Sequence, residues 1–168
     1  MFHVDDYVIH TTGGICQIKN IAPLEIPGAD KERKYYYLFP LKSNASKVFV
    51  PIDNDTAIRK VMTGDEAWKL INEIPGIEQM QVDNEKLREM RYKEAIKSCD
   101  CRELVKVIKN LYARRVQRLS EGKKTTATDD KYFKIAEDNL FSELAFATGY
   151  ERADMRDLVT SRFAEGDI

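Results

Sequence analysis

Residues 47–76, KVFVPIDNDTAIRKVMTGDEAWKLINEIPG, contain the change of pattern on which the fold turns. Lys47–Ile52 is rich in β-branched and aromatic side chains and reads as a strand. Asp53 and Asn54 are then expected to start a short helical turn ending near Val61. Thr63-Gly64-Asp65-Glu66 has the spacing of a capping box, in which the Thr hydroxyl accepts a first-turn amide and the Glu reaches back to the Thr amide. The helix it opens carries Ala67, Trp68, Leu70 and Ile71 and stops at Pro75-Gly76. Strand chemistry ends and helix chemistry begins within this one segment. A domain boundary is therefore expected between Met62 and Thr63, dividing the chain into residues 1–62 and 63–168.

Upstream, Phe2–His10, Ile15–Ala22 and Arg33–Leu41 also read as short strands. Val4, Asp6 and Val8 alternate against Tyr7 and Ile9, and Tyr35, Tyr37, Phe39 and Leu41 alternate against Tyr36, Leu38 and Pro40. Thr11-Thr12-Gly13-Gly14, Pro27-Gly28-Ala29-Asp30 and Ser43-Asn44-Ala45-Ser46 supply the turns. Four or five short strands in so short a stretch predict a small, strongly curved antiparallel sheet of the SH3 or Tudor kind. Its core is thin, and its tyrosines are expected to supply much of the buried area.

Downstream, helices are predicted at about 83–98, 101–119, 126–148 and 151–160. Leu87, Met90 and Ile96 are the apolar positions of the first. Asp100 with Glu103 caps the second, on which Leu104, Val105, Ile108, Leu111, Tyr112, Val116 and Leu119 form a wide apolar stripe. Thr126 or Thr128 starts the long third helix, which Gly149 ends. The tail from Ala164 to Ile168 is polar. The expected class is α+β: a small SH3/Tudor-like β domain followed by an all-α domain of about five helices.

Charge is distributed unevenly. The 168-residue chain has a net charge of −1, yet residues 83–124 carry 13 Lys and Arg against 7 Asp and Glu. Such a local concentration is suited to an anionic partner. Lys86, Lys93 and Lys97 fall near one helical face, with Arg88 and Arg91 beside them and Tyr92 interleaved. Arg114, Arg115 and Arg118 cluster near the end of the next helix, and Lys123 and Lys124 follow. A solvated face with pairs such as Glu89–Lys93 is the plainer alternative for any single residue.

Little in the sequence suggests catalysis. His3 and His10 fall on opposite faces of one strand and cannot share a metal. Cys99-Asp100-Cys101 has no second ligand pair to complete a tetrahedral site. Gly122-Lys123-Lys124-Thr125 lacks the upstream glycine of a P-loop and follows no strand. No catalytic constellation, metal or cofactor is expected. Three scattered cysteines, no signal-peptide pattern and no run of about 18 apolar residues point to the cytoplasm rather than a membrane.

Several of these segments together resemble the CarD/CdnL family of bacterial transcription regulators. Met1-Phe2-His3-Val4-Asp5-Asp6-Tyr7-Val8-Ile9-His10 followed by Gly13-Gly14 is similar to the family's opening, and Val48-Phe49-Val50-Pro51-Ile52-Asp53-Asn54 to its V-x-VP-x-(D/E)N junction. Arg91-Tyr92-Lys93 matches an RYK element, Val105–Arg115 a family helix, and Ser142-Glu143-Leu144-Ala145 its (S/G)ELA element. The resemblance implies an N-terminal domain like the polymerase-interacting domain of transcription-repair coupling factors, adding a strand to the RNA polymerase β subunit. It also implies a helical domain that meets promoter DNA at the upstream edge of the bubble and modulates the open complex.

On that resemblance, Lys47, Val48, Phe49, Val50 and Pro51 form the polymerase-binding strand, with Phe49 where some members have Arg. Prolines at Val48 and Val50 are expected to remove its edge donors. Arg91 and Lys93 fall on the DNA-contacting element, and Arg88 takes the position of a Trp that wedges the bubble edge in many members. The full expected DNA-binding set is Arg88, Arg91, Tyr92, Lys93, Lys97, Arg114, Lys123 and Lys124, largely through phosphates. The free protein is expected to be monomeric. The alternative, from another class, is an adaptor whose Tudor-like domain binds peptide and whose helical domain docks an acidic protein.

Overall fold

A computed structural model describes residues 1–11, 14–42 and 46–165. Thr12 and Gly13, residues 43–45 and residues 166–168, on which two predicted turns and the end of the tail depend, lie outside it. Two compact units divide after Val61.

The first unit is a curled five-stranded antiparallel sheet followed, in the second, by five helices, as the α+β reading requires. The strands are β1 (Tyr7–His10), β2 (Gly14–Pro23), β3 (Lys34–Pro40), β4 (Val48–Pro51) and β5 (Ile58–Lys60), in the spatial order β4-β3-β2-β1-β5. Val8, Cys16, Ile18, Tyr36, Leu38, Val50 and Ile58 form the buried core. Of the tyrosines on β3 only Tyr36 is fully buried, since Tyr35 and Tyr37 alternate to the other face. The register shifts between Ile18 and Asn20, a bulge that sharpens the local twist.

Two expectations fail here. Strand β1 starts at Tyr7, because Asp5 adopts φ 72° and turns the chain so that its amide reaches Ile18 O at 2.7 Å. The helical turn expected after Asp53 is also incorrect: its second half is β5, paired antiparallel with β1. Ile58 is buried in the sheet core, and a neighbouring strand satisfies the backbone of 58–60 better than one isolated helical turn could.

The helical unit comprises α1 (Gly64–Glu73), α2 (Arg88–Lys97), α3 (Cys101–Ser120), α4 (Ala127–Thr148) and α5 (Arg152–Glu165), with 3-10 turns at Ile74–Gly76 and Glu85–Leu87. The capping box forms: Thr63 accepts the Glu66 amide at 3.2 Å, and Glu66 accepts the Thr63 amide at 2.8 Å. Asp100 caps α3 and Thr126 caps α4 through their side-chain oxygens. Gly149, at φ 76°, closes α4 in the left-handed region, with its amide on Ala145 O at 2.9 Å. Helix α5 runs to Glu165, beyond the predicted end.

Ile71, Ile74, Val105, Val107, Ala136, Leu140, Leu144, Met155 and Val159 lie at the centre of the helical core. Glu143 is buried among them, accepting the Met62 amide at 3.0 Å and the Cys101 thiol at 3.1 Å. Trp68 is half-buried at the core margin, edge-on to Tyr150 at 5.4 Å. No helix among the described residues is long and apolar enough to cross a membrane.

Candidate functional site

The sheet has two edges, β4 and β5, and the chain treats them differently. Ile52 N–H donates to Lys34 O at 3.1 Å, and the pairs Leu38–Val48, Tyr37–Phe49, Tyr36–Val50 and Tyr35–Pro51 follow in register. Antiparallel ladders alternate, so the amides of Val48 and Val50 point inward at β3 and that of Phe49 points outward. Pro51 has no amide proton, and its carbonyl accepts the Asn54 N–H at 3.2 Å. Phe49 is therefore the outward donor of β4. Prolines at Val48 and Val50 would break the internal ladder instead, which corrects the expectation attached to them.

At β5 the pairing Thr11 N–H to Ala57 O, 3.2 Å, sets the opposite parity, with Ile58 and Lys60 facing outward. Two of their outward groups are bonded within the chain. Ile58 N–H donates to Asp55 O at 3.1 Å, and the Arg59 guanidinium donates to Lys60 O at 3.0 Å. Among the described residues, β5 is thus partly bonded back on its own chain, whereas the outward amide of β4, at Phe49, faces away from the sheet and is available to another strand.

Side chains along β4 divide by face. Val48 and Val50 turn to the core, while Phe49 is 43% exposed and sits edge-on to Tyr37 at 4.8 Å. Lys47 Nζ lies over the Phe39 ring at 4.8 Å, and Arg33, paired with Asp53 at 3.2 Å, lies 5.6 Å from the Tyr35 ring. The outer surface beside the open edge is aromatic with cations at its ends.

In the helical unit the structure separates the basic residues that the sequence grouped together. Asp129 stands in the first turn of α4, where the helix dipole favours a carboxylate. Arg88 Nη1 donates to its Oδ1 at 2.8 Å and Arg114 Nε to its Oδ2 at 2.6 Å. Arg114 also reaches Glu85 at 3.3 Å. Only 14% of the Arg88 side chain is exposed, and its guanidinium lies 5.7 Å from the Tyr92 ring. Tyr92 is itself buried, with its hydroxyl on Asn110 Oδ1, and Asn110 Nδ2 donates to Met80 O at 3.0 Å. Arg88, Tyr92 and Arg114 therefore tie α2, α3 and α4 together and do not offer themselves to a ligand. Sequence spacing could not show this, because the carboxylate that collects them is far along the chain.

Arg91, Lys93 and Lys97 remain exposed on α2. Lys93 and Lys97 share with Met90 the face opposite Tyr92 and Ala95, whereas Arg91, two residues from Lys93, is exposed on another side of the helix. Lys93 pairs loosely with Glu89 at 3.4 Å, which raises the Lys93 pKa. Glu89 itself is held below the usual carboxylate range by the Tyr132 hydroxyl at 2.9 Å and by Lys93. Lys123 and Lys124 are exposed in the α3–α4 turn, Lys123 beside Glu121 at 3.1 Å. Leu87 and Met90, two of the apolar positions named for this segment, are exposed among these cations. The buried face of the short α2 is filled by Tyr92 and Ala95 instead.

No group of three or more His, Cys, Asp or Glu among the described residues could hold a metal. Comparison with known families matches residues 2–62 to the CarD-like/TRCF RID domain and residues 69–160 to the CarD C-terminal domain. No curated protein matches the chain. The two matches fall in order on the curled sheet and on the helical unit, and the chain belongs to the CarD family of transcription-associated, RNA polymerase-interacting proteins.

Proposed function

We propose that residues 1–62 dock on RNA polymerase by adding β4 to a strand of its β subunit, and that residues 63–168 contact promoter DNA through the outward face of α2. The observation that supports the first half is the difference between the sheet edges: β5 is partly bonded back on its own chain, at Ile58 N–H and Lys60 C=O, while Phe49 presents an outward amide on β4. Strand addition draws affinity from such main-chain groups and specificity from the side chains beside them. Phe49 supplies an apolar contact there where some family members place an arginine.

For the second half, Arg91, Lys93, Lys97, Lys123 and Lys124 are exposed cations suited to phosphates, which position a protein without reading sequence. Arg88 is occupied by Asp129, so it supplies neither a wedge nor a phosphate contact. Met90 and Leu87 are the exposed apolar side chains at that face. The protein acts as a regulator of the open complex and carries out no chemistry, in keeping with a family of non-enzymatic regulators.

The polymerase half is tested by binding the full chain to polymerase and to its isolated β-subunit lobe. Phe49→Pro removes the outward donor and leaves the β3 ladder intact, so affinity should fall about tenfold, with a small drop in melting temperature from the lost edge-on contact with Tyr37. Wild-type affinity in that variant would remove β4 as the docking edge.

A further inference from the structure

Glu89 is a carboxylate on the exposed basic side of α2, four residues before Lys93. Its Oε1 lies 3.4 Å from Lys93 Nζ, and the two side chains, lysine first, are 63 and 52% exposed. Such a pair on a solvated helix is ordinarily loose and contributes little. Here a third group holds it. The Tyr132 hydroxyl on α4 donates to the same oxygen at 2.9 Å, and Tyr132 is itself buried, with its ring 5.9 Å from that of Tyr92. Lys131 Nζ lies 5.4 Å from the Tyr132 ring. Tyr132, Lys93 and Lys131 together keep the Glu89 carboxyl below the usual carboxylate range. Glu89 is thus an ionised group anchored beside Lys93 and within the field of Lys131.

A fixed carboxylate does for Lys93 what a phosphate oxygen does. It satisfies the ammonium in the free protein, and a phosphate brought to the same lysine meets like charge at short range. A freely rotating glutamate could swing aside. One bonded to a buried tyrosine must first break that bond and leave the hydroxyl to another partner. We infer, on the reading of α2 as the DNA face, that Glu89 is an intramolecular competitor of DNA phosphate at Lys93. It sets the DNA affinity of the helical unit below what the lysines of α2 would give alone, and Tyr132 is the positioning residue that keeps it there.

The test uses the full chain and a short labelled DNA duplex at low salt, read by fluorescence anisotropy. Glu89→Gln removes the charge but keeps the side-chain length and an oxygen for the Tyr132 hydroxyl, so the urea midpoint should stay within error of wild type. DNA affinity should rise about three- to fivefold. The log–log salt slope should steepen by about 0.9, the equivalent of one further phosphate contact. Glu89→Asp, which retains the charge, should bind within about twofold of wild type. Asp154→Asn removes one negative charge from an exposed position on α5 and should change affinity by less than about 1.5-fold. With Lys93→Gln in place, the gain from Glu89→Gln should fall below about 1.5-fold, because the lysine it releases is gone. No gain from Glu89→Gln, an equal gain from Asp154→Asn, or a gain undiminished by Lys93→Gln would overturn the inference. Should that happen while Arg91→Glu with Lys93→Glu abolishes duplex binding, the α2 face stands and only the role of Glu89 falls. Wild-type duplex binding by that charge-reversed variant would instead displace the DNA face itself, and Glu89 with it.

Discussion

Arg88 Nη1 donates to Asp129 Oδ1 at 2.8 Å across 41 positions of chain, and this bond withdraws Arg88 from the exposed basic surface. Arg114 takes the other carboxylate oxygen at 2.6 Å, so one acid at the start of α4 anchors α2 and α3. Asp129→Ala strands two guanidinium groups in a mostly desolvated site. Allowing for their partial exposure, the helical unit should lose about 2–3 kcal/mol in urea denaturation, with Arg88→Ala losing less. A change within about 0.5 kcal/mol would show the cluster to be a solvated surface pair.

Charge reversal on the exposed face should behave in the opposite way. Arg91→Glu with Lys93→Glu is expected to abolish the effect on promoter opening while leaving polymerase affinity and the urea midpoint unchanged. Wild-type DNA binding should show a log–log salt slope of roughly −3 to −4 from three or four phosphate contacts, flattened by about 2 in the double variant. In vitro transcription indifferent to the change would relocate the DNA surface.

His10 introduces a pH dependence in the sheet. Its side chain is buried on β1, and burial holds its pKa below the ordinary histidine value. The unfolded chain then binds the proton more readily than the folded one. Stability is fully present above the unfolded value of about 6.5 and falls as pH drops through it. Thermal melts of the β unit, followed by NMR in the full chain, should decline between about pH 7.5 and 5.5, and His10→Leu should flatten that decline.

The reciprocal cap at α1 gives a local test. Thr63→Ala removes the acceptor of the Glu66 amide and should cost about 1 kcal/mol. Thr63→Ser should restore most of it. Loss of stability in both variants alike would assign the effect to packing of the threonine methyl group.

Much of the candidate surface was legible as composition and little of it as geometry. The Lys47–Pro51 strand was visible from its residues, but which amide faces outward depends on pairing with β3. Lys93 and Lys97 were recognisable on one helical face, since helical spacing is local. Arg88 and Tyr92 on the same helix looked equally available, and nothing within a turn or two of them reveals the opposite. On α3, periodicity marked one stripe from Leu104 to Leu119 without showing where its cover ends.

Sequence alone determined the change from strand to helix chemistry after Met62 and those helix ends that carry a local cap. Thr63, Asp100, Thr126 and Gly149 act on backbone groups within one turn of themselves, so their signals survive without a tertiary context. Tertiary structure decided the rest. It turned residues 58–60 into an edge strand, bonded part of that edge back on the chain, aimed the Phe49 amide outward, drew Arg88 and Arg114 onto Asp129, and exposed Tyr112, Val116 and Leu119 on α3. Each of these outcomes depends on a partner distant in sequence, because an amide, a guanidinium or an apolar side chain is available only if no other part of the fold has already satisfied it.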